Sequence, residues 1–160
     1  MEHSKNASTN SKAADEKAAA DVLFYVLNSS QPDQRELFLS KLLKTIWKQQ
    51  RMVDIRFPND QEAQRYDLNL WSFRPESFIH HALENSAPAP IQIYGETISQ
   101  PCEDVLINMH PSFCEFHNRY QRTIEVLDQS EYLLEMGPIR WKQYQQAGIE
   151  PTIHKIGFTN

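Results

Sequence analysis

Apolar runs and helical stripes alternate along most of this chain. Residues 21–27, DVLFYVL, are continuously apolar and rich in β-formers, the pattern of a strand buried on both faces. After the loop and cap residues NSSQPD, the segment QRELFLSKLLKTIWKQQ sets Phe38, Leu39, Leu42, Leu43 and Ile46 at helical spacing and predicts an amphipathic helix. RMVDIRF predicts a second strand, closed by PND. DQEAQRYDLNLW predicts a second helix with Ala63, Tyr66 and Leu70 on one side. Strand, helix, strand, helix is the signature of an α/β crossover layer.

Beyond residue 83 the pattern shortens. ENSAPAP predicts a loop, IQIYG and EDVLINM two short strands, and HPSFCEFHNRY a turn with a short helix. RTIEVLD is the fifth predicted strand. QSEYLLEMGPIRWKQYQQAG reads as a helical segment that Gly137-Pro138 either kinks or divides, with Gly148 as its C-cap. The last dozen residues read as loop or a frayed strand. Residues 1–20 hold no large apolar side chain after Met1 and predict a disordered extension, with a short alanine-rich helix as the alternative.

Composition narrows the functional classes. With 160 residues, 40% of them hydrophobic, the chain fits one globular domain, taken as residues 21–160. No run is long enough to span a membrane and no signal peptide opens the chain, so the expectation is cytoplasmic. Cys102 and Cys114 are then expected as free thiols. Acids outnumber bases 21 to 16, a net charge of −5, which disfavours direct nucleic-acid binding over a broad surface. A local basic patch suited to an acidic peptide stays open. The four glycines, at 95, 137, 148 and 157, cannot assemble a Walker A or GxGxxG phosphate loop.

Catalytic patterns are sparse. His80 and His81 are adjacent, so on a helix they diverge by about 100°, and with Glu84 they still lack a third metal ligand. His110, Cys114 and His117 are spaced four and three apart and form the other metal or thiol candidate. No nucleophile elbow occurs, and the adjacent acids Asp15-Glu16 and Glu103-Asp104 read as solvated charge. What remains is aromatic and basic: the stretch LWSFRPESFIHHAL with Trp71 and Phe78, and RWKQY with Arg140, Trp141, Lys142 and Tyr144. Arg140 and Tyr144 share a helical face. Such aromatics are most often core, yet a basic-rimmed aromatic pocket is what an acidic peptide with an aromatic end requires.

From about residue 21 to 156 the chain resembles the chi subunit of bacterial DNA polymerase III. The matching pieces are VLFYVL, QEAQRYDLNLW followed by ESFIHH, PIQIYG, DVLINM followed by PSFCEF, and RWKQYQQAG. The resemblance implies a Rossmann-like single domain, a mostly parallel sheet of about five strands with flanking helices and no nucleotide loop. It implies a non-catalytic accessory subunit without cofactor or metal. Its partners would be the psi subunit, which ties it to the clamp loader, and the acidic C-terminal tail of single-stranded-DNA-binding protein, which ends in phenylalanine. The implied tail pocket falls on Trp71, Phe78, Leu127, Trp141 and Lys142, beside Arg140 and Tyr144. Trp141 stands where the family usually has tyrosine, and Phe78-Ile79-His80-His81 departs from the usual F-x-P-H. Fewer bases flank RWKQY than in the family, which predicts tail binding that leans on the aromatic pocket more than on charge. The alternatives are a module that binds only the psi-like partner, and a metal or thiol enzyme using His110, Cys114 and His117.

Overall fold

The computed structural model describes residues 20–72, 81–83 (backbone path) and 89–158. The expected extension therefore lies outside the described residues except for residue 20, and so do Phe78, His80 and Glu84. The elements are β1 (Asp21–Leu27), α1 (Pro32–Lys48), β2 (Val53–Arg56), α2 (Asp60–Ser72), β3 (His81–Leu83), β4 (Ile91–Tyr94), β5 (Val105–Asn108), β6 (Arg122–Leu127), α3 (Glu131–Gln146) and β7 (Thr152–Ile156), with one 3-10 turn at His117–Arg119. The strands form a single sheet in the order β3-β4-β2-β5-β6-β1-β7, and every pairing is parallel.

The α/β expectation holds, with seven strands in place of five. β3 is only three residues long, and β7 is exposed at every position, so neither carries an apolar run that periodicity would detect. Of the two outcomes expected at Gly137-Pro138, division of the helix does not occur. α3 continues through Gly137 and Pro138 as one helix. Its end matches the expected Gly148 cap: Gly148 N–H donates to the Gln145 carbonyl at 3.0 Å and Ile149 N–H to that of Tyr144 at 3.0 Å, a Schellman pair around a glycine at φ +86°.

Right-handed crossovers decide which face each helix covers. The links through α1 and α2 run toward the β3 edge and the link through α3 toward the β7 edge, so α3 lies on the face opposite the other two. Alternate strand residues confirm it. Val53, Ile55, Ile93, Ile107, Ile124 and Val126 pack with Leu39, Leu43, Ala63, Tyr66 and Leu70 of α1 and α2. The residues between them point to the α3 face, where Phe24, Leu127, Trp141 and Tyr144 cluster.

That second face is apolar at its β1 end and polar at its centre. Asp54, Arg56, Asn108, Thr123 and Glu125 are all buried there. Glu125 is the hub. It accepts hydrogen bonds from Arg140 Nη1 at 2.8 Å, Tyr144 OH at 2.6 Å and Asn108 Nδ2 at 3.1 Å. The other terminal nitrogen of Arg140 donates to the Pro111 carbonyl. Burial pushes the Glu125 carboxyl above its ordinary range, while Arg140, Tyr144 and Asn108 pull it back. Asp54 is held in the same manner by Tyr120 OH at 2.7 Å and Cys102 N–H at 2.8 Å. Around the network, the Tyr144 ring packs against Phe24, Phe113 and His117, with centroids 5.0–5.8 Å apart.

Glu125→Ala leaves Arg140 as a buried charge without its counter-ion, so we expect a loss of about 3–5 kcal/mol in urea unfolding. Replacing both partners, Glu125→Leu with Arg140→Met, should recover much of that loss, because breaking such a pair costs more than removing it. His117 tests the aromatic shell through pH. Burial lowers its pKa, so the folded state keeps it neutral while the unfolded chain protonates near 6.5. The unfolded state then binds more protons, and stability is lost as pH falls from about 6.5 toward the folded-state pKa. His117→Phe should therefore lose less stability between neutral and mildly acidic pH than the parent chain, in paired denaturation curves. An unchanged slope would exclude this residue as a source of acid sensitivity.

Candidate functional site

An open apolar groove of about 280 Å³ lies on the second face, between α3 and the β1–β7 edge. Its floor is Phe24 and Val26 of β1 with Leu127 of β6. One wall is Leu133, Leu134, Pro138 and Trp141 of α3, and the other is Ile153 of β7. Local sequence explains the shape. α3 turns Gly137, Arg140 and Tyr144 inward, which leaves Leu134, Pro138 and Trp141 facing sideways along β7. Gly137 lets the helix lie close to the sheet, since a Cβ there would come within 3.3 Å of Leu127 Cδ1. The Trp141 indole packs edge-on against Phe24 with centroids 5.1 Å apart, which fixes it as an end wall. Leu134 and Ile153 remain 52% and 47% exposed, so both lips present apolar surface to solvent. Lys142, next to Trp141 in sequence, is exposed on the outer side of α3 and is not part of the groove lining.

The sequence-derived site residues separate in the structure. Leu127 and Trp141 meet in the groove, whereas Lys142 is exposed on α3 outside the groove lining. Arg140 and Tyr144 point beneath α3 into the Glu125 network and are 3% and 0% exposed. Lys142 is thus the one solvent-facing base on α3. Trp71, half exposed, sits at the end of α2, which packs on the opposite face of the sheet, and Phe78 lies outside the described residues. Phe24, Val26, Leu133, Leu134, Pro138 and Ile153 are groove residues that the sequence reading did not single out. Reading the last dozen residues as either loop or a frayed strand hid them, because without a definite edge strand beside β1 the apolar face of β1 has no second lip.

A second cleft, of about 330 Å³, opens beyond the carboxyl ends of the strands, where α1 leaves β1 on one face and α3 leaves β6 on the other. Such a switch point is where open α/β sheets usually bind ligands. Here its polar groups are mostly engaged with one another. Glu125 is paired as described, and Asp128 Oδ1 accepts from Ser130 N–H at 2.9 Å and from the Ser130 hydroxyl at 2.5 Å. Arg35 Nε donates to the Val126 carbonyl at 2.7 Å, and burial lowers its pKa. His110 Nδ1 accepts from Ser112 N–H at 2.9 Å, and Nε2 faces Glu96 at 3.5 Å. Burial keeps this imidazole neutral by lowering its pKa.

His110, Cys114 and His117 do not converge. His110 faces Glu96, whereas His117 packs against Phe113 and Tyr144. Cys114 is fully buried, and its thiol is pushed up to about 11 by burial, the opposite of activation. Cys102 is likewise pushed up to about 12. Among the described residues no three His, Cys, Asp or Glu side chains are placed to hold a metal ion. No described helix is long and apolar enough to cross a membrane.

Comparison with known proteins gives the chain a family context. The chain is 27% identical over 135 residues to the DNA polymerase III subunit chi of Pseudomonas aeruginosa, covering 83% of this chain and 94% of that protein. It is 28% identical over 107 residues to the DNA polymerase III subunit chi of Escherichia coli K12, covering 64% of this chain and 73% of that one. Residues 20–152 match the family model described as DNA polymerase III chi subunit, HolC. A match over that span, carried on an all-parallel α/β sheet, places the chain in the DNA polymerase III chi subunit family, a family of replication accessory subunits.

Proposed function

We propose that this protein is a non-catalytic linker of the replication machinery. It joins the clamp loader, through a psi-like subunit, to single-stranded-DNA-binding protein in the cytoplasm by seating the acidic tail of that protein in the α3–β7 groove. The observation that carries the reading is the groove itself: an apolar slot closed at one end by Trp141, with the exposed base Lys142 the next residue along α3. A C-terminal phenylalanine carries the two features that match, an apolar ring for the slot and a carboxylate for the base. Burying such a ring contributes roughly 1.5–3 kcal/mol, so a single tail binds modestly, and strength comes from several tails presented together.

This reading accounts for the acidic balance of the chain. A protein that engages a protein tail needs no broad basic surface, and α3 offers one exposed base for the terminal carboxylate. Within the pocket inferred from resemblance, Leu127, Trp141 and Lys142 are the residues we assign to the tail. Arg140 and Tyr144 are assigned the role of holding α3 in place.

Calorimetric titration with a short acidic peptide ending in phenylalanine tests the proposal. We expect saturable one-to-one binding that disappears when the phenylalanine is removed and weakens at least tenfold in Trp141→Ala, roughly the loss of a well-packed aromatic anchor. Lys142→Gln should weaken the free-acid peptide and leave the C-terminally amidated one unchanged. Normal assembly with the psi-like subunit but no heat with any peptide would leave the psi-only module as the correct reading.

A further inference from the structure

The groove has two lips of different character, and the strand lip bears on what the ligand must carry. β7 pairs with β1 in parallel register, Phe24 beside Ile153, Tyr25 beside His154 and Val26 beside Lys155. Registered neighbours in a sheet project to the same face. Phe24, Val26 and Ile153 line the groove, so Lys155 projects onto that face too, next to Val26. His154 goes the other way, stacking on Tyr25 at 5.4 Å. The Lys155 ammonium lies 5.8 Å from the Phe158 ring centroid, and no carboxylate pairs with it among the described residues. The helical lip has the opposite sign. Glu131 and Glu135, both exposed, flank Leu134 and Pro138 on the outer side of α3. Asp128 borders the groove as well, but its carboxylate is held by Ser130.

We infer that Lys155 is a specificity-determining contact for the acidic residues of the bound segment, and that it sets the direction in which the segment lies. The inference rests on the peptide reading of the groove proposed above. Trp141 marks one end, beside Phe24, and Lys155 stands one pleat repeat along the strand, roughly 6.6 Å beyond the Phe24–Ile153 row. An extended peptide whose terminal residue sits against Trp141 therefore brings the side chain two or three residues earlier alongside Lys155. Glu131 and Glu135 repel an acidic chain that leans over α3, so the preceding acids are steered onto the β7 side. The single exposed base of α3 is thus supplemented by one on the edge strand, and the groove discriminates by attraction at one lip and repulsion at the other.

The test uses the full chain and two peptides ending in phenylalanine. One carries aspartate two and three residues before the end, and the other carries asparagine at those places. Lys155→Gln should weaken the aspartate peptide about two- to fivefold at low salt, the range for an exposed ion pair, and leave the asparagine peptide unchanged. High salt should remove the difference. Glu135→Gln should tighten the aspartate peptide and have no effect on its neutral counterpart. Lys155→Gln binding both peptides as the parent does, or losing both equally, would overturn the inference while leaving the groove reading intact. Failure of the parent chain to bind either peptide would overturn both.

Discussion

The buried carboxylate of Glu125 fixes how α3 is rotated on the sheet, and the groove follows from that rotation. An α-helix could offer several of its faces to an apolar sheet at similar cost. It cannot do so when the sheet holds a buried acid and the helix carries one base that reaches it. Turning α3 by one residue, about 100°, would withdraw Arg140 and Tyr144 from Glu125 and press the next positions, Trp141 and Gln145, inward. Breaking such a pair costs several kcal/mol even though the intact pair adds little net stability. We therefore read Glu125 as a specificity device, one that sends Leu134, Pro138 and Trp141 sideways toward β7.

The parallel sheet does the rest. Crossover handedness puts α1 and α2 on one face and leaves α3 to cover the other with the loops at 95–104 and 109–121. One helix cannot shield the whole of β1, β6 and β7. The uncovered strip lies between α3 and the edge strand, where Val26 is half-buried and Ile153 exposed. At the centre of the same face, Arg56 donates to the Glu96 carbonyl at 2.9 Å and the Ser112 carbonyl at 3.1 Å, tying those loops down. The apolar strip and the polar centre are complementary consequences of an uneven helix layer.

Much of this was legible in the chain. The run DVLFYVL coincides with β1, and the helical stripes of Leu39, Leu43, Ala63, Tyr66 and Leu70 are the residues that bury. The β7 edge was legible only as loop or a frayed strand, because TIHKI is solvent-exposed throughout and its alternation buries nothing. Nor could the sequence separate Arg140 from Lys142. Both are bases within three residues, and only the helix rotation sends one inward and the other to the rim. A signal was nevertheless present. RTIEVL and VDIR each set a lone acid among β-formers of a central strand, and a buried acid demands a partner. The search for a partner of Glu125 would have reached Arg140 fifteen residues on.

The two kinds of polar group therefore serve different ends. Charges inside the fold are held by hydrogen bonds, Glu125 by Arg140 and Tyr144 and Asp54 by Tyr120, and fix orientation, and their burial withdraws them from the surface. The charges flanking the groove stay exposed, Lys155 on the edge strand and Glu131 and Glu135 on the outer side of α3. Because the apolar slot is only weakly selective for what fills it, those lips carry the discrimination. A neutral peptide with an aromatic end could still enter the slot, but it would gain nothing from Lys155 and avoid no penalty at Glu135. On the proposed reading, an acidic protein would recruit a more acidic tail without a broad basic patch, since the sign of the field need only be right along a few residues of one edge strand.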